Sequence, residues 1–111
     1  MPYVLLDGHS YPLAAGDNVI GGVSNAHVRI AGAGAPVPDI AAVVAVSEDG
    51  TAVIRRGDDG AVRVNGVQLG VEPSPLLHGD KIEVAGRELF FGDDRKGGNT
   101  QYVQSVRLPG V

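Results

Sequence analysis

A single stretch decides the fold: Val62-Arg63-Val64-Asn65-Gly66-Val67-Gln68-Leu69. Asn-Gly stands between two short runs rich in β-branched residues, and both central residues of a type I′ turn need positive φ, which Asn and Gly tolerate. The stretch therefore predicts a β-hairpin with a two-residue turn. Gly79-Asp80 precedes the alternating run Lys81-Ile82-Glu83-Val84, and we expect this pair to supply positive φ angles in the same way. We assign turn roles to Asn65, Gly66, Gly79 and Asp80.

The composition extends this reading to the whole chain. Among 111 residues there are 17 Gly and 7 Pro, which weaken helix interiors, and valine is abundant. Further turn signals such as Asp7-Gly8 separate short β-rich runs, and Ile40 to Val46 is apolar on both faces, as expected of a central strand. The sequence predicts an all-β fold, a β-sandwich of two antiparallel sheets with about ten or eleven short strands.

One domain fits this length. We place it at residues 1–91, because the chain turns polar and glycine-rich from Gly92 onward. Residues 92–111 are predicted to form a linker. Within them, Tyr102 to Leu108 either adds an edge strand or begins a region that is cut short.

Charge and composition argue against several classes of function. The net charge of −4 and the pI of about 5.1 disfavour nucleic acid as a partner, because an acidic surface repels phosphodiesters. The longest apolar run, Ile40 to Val46, is too short to cross a bilayer, and the N-terminal sequence does not resemble a secretory signal, so we expect no membrane partner. The chain has no Cys, hence no disulfides and no Cys nucleophile, which fits a cytoplasmic location.

No catalytic or metal-binding pattern is found. His9, His27 and His78 lack the spacing of metal ligands, and no serine lies within Gly-x-Ser-x-Gly. Asp58-Asp59 is followed by glycine, which is typical of a turn, and lacks the ligand spacing of a calcium loop. We expect no enzyme activity, no metal and no cofactor, and we expect His78 to be a solvated residue in a surface turn.

The order of these motifs resembles a forkhead-associated (FHA) domain from Tyr3 to Phe91. The late pattern of that family is Val-Asn-Gly, a spacer, and Gly-Asp-x-Ile-x-Val, which is similar to Val64-Asn65-Gly66 and Gly79 to Val84. The early pattern, a Gly turn and then Ile-Gly-Arg, looks like Ala15 to Gly22. The resemblance implies a sandwich of the FHA/SMAD-like type. Its core would take Ile82, Val84, Leu89 and one of Phe90 or Phe91.

FHA domains typically recognise phosphothreonine with loops at one end of the sandwich, and at these loops the match fails. The resemblance implies an Arg where this chain has Gly22, a Ser-Arg-x-His where it has Pro38 to Ala41, and Ser-x-Asn-Gly-Thr where it has Asp58 to Val62. Losing three hydrogen bonds to a charged group removes about 4–9 kcal/mol, or about three to six decades of affinity. The acidic residues at these positions add repulsion toward a phosphate.

The resemblance assigns eight positions to the binding loops: Gly22, Ser24, Asn25, Asp39, Arg56, Asp58, Asp59 and Gly60. We predict a non-catalytic interaction or scaffolding module in a bacterial multidomain protein or assembly, which binds a protein partner or a neighbouring domain without tight phosphothreonine binding. Two alternatives stay open. One is a phosphothreonine reader that uses non-standard basic residues such as Arg56 or Arg29, and the other is a self-associating structural domain that exchanges Tyr102 to Leu108 as an edge strand.

Overall fold

The computed structural model describes residues 2–30, 37–57 and 61–93, which form eleven strands and two sheets. The strands are β1 (Pro2–Leu6), β2 (His9–Pro12), β3 (Gly16–Gly21), β4 (Val28–Arg29), β5 (Ala42–Val46), β6 (Ala52–Arg56), β7 (Val62–Val64), β8 (Val67–Gln68), β9 (Ser74–Leu76), β10 (Lys81–Val84) and β11 (Arg87–Asp93). One sheet has the order β2-β1-β11-β10-β7-β8 and the other the order β4-β3-β5-β6-β9. The predicted all-β sandwich is confirmed.

Alternation of side chains explains how the two sheets share one core. Along the strands that cover the core, every second residue points inward, and these inward residues include fully buried aliphatic side chains such as Val4, Ile20, Ile54, Ile82 and Leu89. The edge strands β2 and β8 contain no buried residue. Of the two phenylalanines offered for the core, Phe91 is 3% exposed and Phe90 is 43% exposed, so Phe91 fills the position. The core predicted around β10 and β11 is confirmed.

Two hairpin turns follow the local chemistry of their residues, and a third predicted turn, which joins the two sheets, follows it only in part. Asn65 and Gly66 have φ of 52° and 83°, as a type I′ turn requires, and Asp7-Gly8 has φ of 52° and 81°. At Gly79-Asp80 the expectation was half wrong. Gly79 has a φ of 93°, but Asp80 does not have a positive φ, and it stabilises the loop through its carboxylate instead.

Two strands differ from the expected pattern. β4 runs parallel to β3, with Ile20 opposite Val28, so this edge pair departs from the antiparallel arrangement expected throughout both sheets. β9 contains Pro75, a residue that is uncommon within a sheet because it has no backbone N–H. It lies at the edge of its sheet, where Pro75 costs no hydrogen bond to a further strand.

The last strand continues past Phe91 to Asp93, and both final residues are buried. Gly92 lies so close to the ring of Tyr3 that an added Cβ would be 2.3 Å from its Cζ atom. The predicted boundary at residue 91 therefore falls inside β11. The expectation for Tyr102 to Leu108 lies outside the described residues.

The strand register defines two ends of the sandwich. Ile20, Ala42 and Arg56 lie side by side at one end, which we call the apex; it carries the β3–β4 loop and the described parts of the β4–β5 and β6–β7 loops. Gly16, Val46, Ala52 and Leu76 mark the opposite end, the base. The described residues contain no helix, and therefore none that is long and apolar enough to cross a membrane.

Candidate binding site at the apex

The apex is built by a short segment, Pro38 to Ala41, held between β3 and β6. Gly22 N donates to Pro38 O over 3.0 Å, and Ala41 N donates to Ile20 O over 2.8 Å. On the other side, Gly57 N donates to Ala41 O over 2.9 Å. Backbone hydrogen bonds therefore fix this segment from both flanks.

Two glycines allow this close approach. A Cβ added to Gly21 would lie 2.1 Å from the carbonyl oxygen of Asp39, and one added to Gly57 would lie 1.9 Å from that of Ile40. Backbone atoms cannot yield as a side chain can, so any larger residue at either position would force the segment away. Neither glycine was singled out from the sequence, because glycine in a turn-rich chain gives no signal of close packing.

Gly22, where the resemblance implies an arginine, is different. Its φ lies outside the left-handed region, and an added Cβ would meet the Val37 Cγ1 atom at 3.3 Å, a contact that a small side-chain movement relieves. The backbone at this position therefore accepts a side chain. The absence of a guanidinium here is a property of the sequence and is not enforced by the fold.

The charged side chains of the described apex are few. Asp39 is exposed. Its carbonyl oxygen accepts a hydrogen bond from Val23 N over 3.2 Å, and this bond places the Asp39 backbone beside the backbone of Gly22 and Val23. Arg56, at the end of β6, and Arg29, on β4, are both exposed. Neither arginine forms an ion pair or a side-chain hydrogen bond with another described residue.

The remaining predicted loop positions divide into two groups. Ser24 and Asn25 are exposed in the turn closed by the bond from Ala26 N to Val23 O, at the same end as Asp39 and Arg56. Asp58, Asp59 and Gly60 lie outside the described residues. The structure thus brings Gly22, Ser24, Asn25, Asp39 and Arg56 to one end of the sandwich.

Arg55 is not part of this group. Its guanidinium bonds the carboxylate of Asp17 over 2.9 Å on the outer face of the five-stranded sheet. The hydrogen bond and the positive charge of Arg55 lower the pKa of Asp17 below its ordinary value of 3.8. Within residues 2–30, 37–57 and 61–93, no cluster of His, Asp and Glu has the arrangement of a metal site.

This topology, with backbone-fixed loops at one end of a two-sheet sandwich, matches solved structures. No protein-family model matches the chain, and neither does any curated protein sequence. The FhaA FHA domain, solved in complex with the intracellular domain of Rv3910, superimposes with a TM-score of 0.71; the match covers 82% of this chain and 99% of that one at 22% identity. The chain has the FHA fold.

Other FHA domains match equally well at lower identity. The FHA domain of CT664 from Chlamydia trachomatis has a TM-score of 0.72 at 15% identity, covering 83% of this chain and 96% of that one. The N-terminal FHA domain of Rad53p from S. cerevisiae, in complex with a phosphothreonine peptide, has a TM-score of 0.70 at 12% identity, covering 85% and 94%. At these identities the comparison establishes the fold.

Within this FHA fold, the late sequence motif lies at the base of the sandwich and does not contact the apex. Asn65 Nδ2 donates to Asp80 Oδ1 over 2.9 Å, Lys81 N donates to Asn65 Oδ1 over 2.9 Å, and Leu77 N donates to Asp80 Oδ2 over 2.8 Å. Two loops of the base are thereby joined by side chains. The residues that carry the resemblance therefore stabilise the fold at the end opposite the candidate site.

Two polar residues of the base were missed or misread from the sequence. Asn18 is 0% exposed and forms four hydrogen bonds, one of them from its Nδ2 to Val44 O on the neighbouring strand. His78 is exposed in a turn, as expected, but its Nδ1 accepts a hydrogen bond from Asp93 N over 2.9 Å. It therefore links the turn after β9 to the end of β11 and is more than a solvated side chain.

Proposed function

We propose that the chain is a non-catalytic protein-interaction module with the FHA fold, whose apex does not bind phosphothreonine tightly. The observation that carries the proposal is Gly22, whose backbone accepts a side chain and yet presents none, beside the backbone of the segment that carries the exposed residue Asp39. A phosphate carrying about −1.5 to −2 charges needs donors at this point and would instead meet a negative charge. We place the module in the cytoplasm, which the absence of cysteine supports.

Partners of related folds support a protein ligand. The FhaA FHA domain is complexed with an intracellular protein domain, and the Rad53p domain with a phosphothreonine peptide. For this chain we propose a protein or a neighbouring domain as the partner, bound without phosphorylation.

Calorimetry with a degenerate peptide library tests the proposal. The library carries a fixed phosphothreonine, the matched control library carries threonine, and the Rad53p domain with its phosphothreonine peptide is the positive control. We expect the chain to show no phosphate-dependent binding in the micromolar range. Micromolar binding that requires the phosphate would overturn the proposal.

The variant Gly22→Arg makes the test sharper, because it adds one missing donor where the backbone accepts it. One hydrogen bond to a charged group is worth about 1.5–3 kcal/mol, so the affinity for phosphothreonine should rise by about 10- to 150-fold. Chemical-shift titration reaches the weak range in which this gain starts. Val71→Arg adds the same charge at a residue 81% exposed outside the residue 38–41 segment and should leave the affinity unchanged.

A second candidate is favoured by the exposed guanidinium of Arg56 at the apex, which has no ion pair or side-chain hydrogen bond with any residue that the structure describes. If the chain reads phosphothreonine through this residue, Arg56→Gln abolishes a phosphate-dependent affinity that the wild-type chain already shows. Under our proposal the wild-type chain has no such affinity to lose.

A further inference from the structure

An apolar groove lies at the base, at the end opposite the candidate site. It has a volume of about 380 Å³ and is bounded by the β5–β6 turn, by β9 and by the end of β11. Leu77 is 66% exposed and Val53 is 37% exposed along it, whereas Phe91 forms part of its buried floor. This volume is near the lower limit of ligand pockets and suits a few apolar side chains, not a folded element.

The strand beside the groove cannot easily accept another strand. Pro75 in β9 has no N–H, so the bonds from β9 to β6 come from Ser74 and Leu76, whose N–H groups face β6. The next N–H, that of Leu77, donates to Asp80 Oδ2. This part of the chain therefore offers no backbone donor along the free edge, and an occupant of the groove must bind through its side chains.

The chain itself carries a segment of suitable pattern. Tyr102, Val106 and Leu108 share one face of an extended chain, and Arg107 lies on the opposite face. Because residue 93 lines the groove, the eight residues 94–101 need to span only a fraction of the roughly 28 Å they reach when extended. Gly97-Gly98 allows the chain to reverse its direction within that stretch.

The distribution of charge along the chain also favours this C-terminal segment as the occupant of the groove. Residues 1–93 contain 12 acidic and 6 basic side chains, whereas residues 94–111 contain 1 acidic and 3 basic side chains. Glu48 is exposed in the β5–β6 turn that borders the groove. The basic tail is therefore attracted to the acidic domain, and most strongly where the tether is short.

We propose that residues 102–108 of this chain occupy the basal groove, with Tyr102, Val106 and Leu108 covering Leu77 and Val53. The inference goes beyond the proposed function, since it concerns the opposite end of the domain. Its failure would leave the phosphothreonine experiment at the apex unaffected.

A spin label gives a direct test, because the chain has no cysteine. Ser105→Cys in the full chain receives a nitroxide, and amide peak intensities are measured with the label oxidised and reduced. We expect intensities at Thr51 and Leu77 in the groove to fall severalfold, while Ser24 and Asn25 at the apex keep theirs. Equal, weak broadening at both ends would overturn the proposal.

Two controls separate the remaining explanations. Leu77→Asp should abolish the effect at Thr51, whereas the matched Val71→Asp, at a residue 81% exposed outside the groove, should preserve it. Mixing spin-labelled chains without ¹⁵N with ¹⁵N-labelled chains without a spin label detects only contacts between molecules. An effect that appears in this mixture at full strength would show that a second copy fills the groove, and would overturn the intramolecular proposal.

Discussion

The side-chain bond between Asn65 and Asp80 gives a quantitative test of how the late motif stabilises the fold. Asp80→Asn keeps the size of the side chain, and the new amide oxygen can still accept from Leu77 N. Its NH2 group then faces the NH2 group of Asn65, which already uses its own oxygen to accept from Lys81 N. The substitution therefore replaces a charge-assisted hydrogen bond by two donors that face each other.

The magnitude follows from the exposure of the pair. A hydrogen bond to a charged group is worth about 1.5–3 kcal/mol, and Asn65 is exposed while Asp80 is half-buried, so we expect a loss of about 1–2 kcal/mol. For a domain of this size the loss corresponds to a fall in Tm of about 4–16 °C. Urea denaturation followed by circular dichroism measures the free energy of unfolding directly.

A double-mutant cycle isolates the bond. Asn65→Gly removes the side chain and keeps the positive φ free of strain, so its effect reports the lost hydrogen bonds. Together with Asp80→Asn it should show a coupling of about 1 kcal/mol. Glu72→Gln, an exposed carboxylate-to-amide change in the loop before β9, is the matched control and should stay within about 0.5 kcal/mol of the wild type. Strict additivity of the two base substitutions would refute the reasoning, because turn geometry alone would then explain the motif.

Three further predictions concern other parts of the sandwich. Asn18→Ala should lower the free energy of unfolding by about 2–4 kcal/mol, because backbone groups it satisfies in the interior lose their partner; a denaturation midpoint close to that of the wild type would contradict this. Gly57→Ala should lower the free energy of unfolding by about 1–3 kcal/mol and shift the amide resonances of residues 38–41. Gly70→Ala, whose added Cβ meets nothing within 4 Å, should change neither the stability nor these resonances. Arg55→Gln should raise the pKa of Asp17 toward 3.8, measured by NMR titration of the carboxyl carbon. Because Arg55 lowers the pKa of Asp17 in the folded state, the ion pair stabilises the fold above pH 3.8, and this stabilisation is lost as the pH falls through the lower folded-state pKa. An unchanged Asp17 titration in the variant would show that the ion pair does not form in solution.

Those features of the fold that depend on local chemistry could be predicted from the sequence. Asn65-Gly66 and Asp7-Gly8 form their turns because the residues themselves tolerate positive φ. Alternating apolar residues likewise identified the inward face of β10, since the period of two is fixed by the strand backbone.

Features that depend on distant partners could not be predicted. The direction of β4 is not encoded in the alternation of its side chains, and β9 contains a proline that is tolerated only because the strand lies at an edge. Asn18 looks like any polar turn residue until Val44 O is known to lie beside it. At the candidate site, the sequence located Gly22, but only the structure shows that a side chain would fit there.

The pairing of Pro2 with Asp93 has a mechanical consequence. These residues are opposite one another on adjacent antiparallel strands, so a force that separates them acts along the hydrogen bonds, which run perpendicular to the strands. The bonds between β1 and β11 then break one after another, as in a zipper, and are not sheared all at once. Tension applied through flanking polypeptide would therefore open this domain between β1 and β11 at low force, while the apex at the far end is still intact.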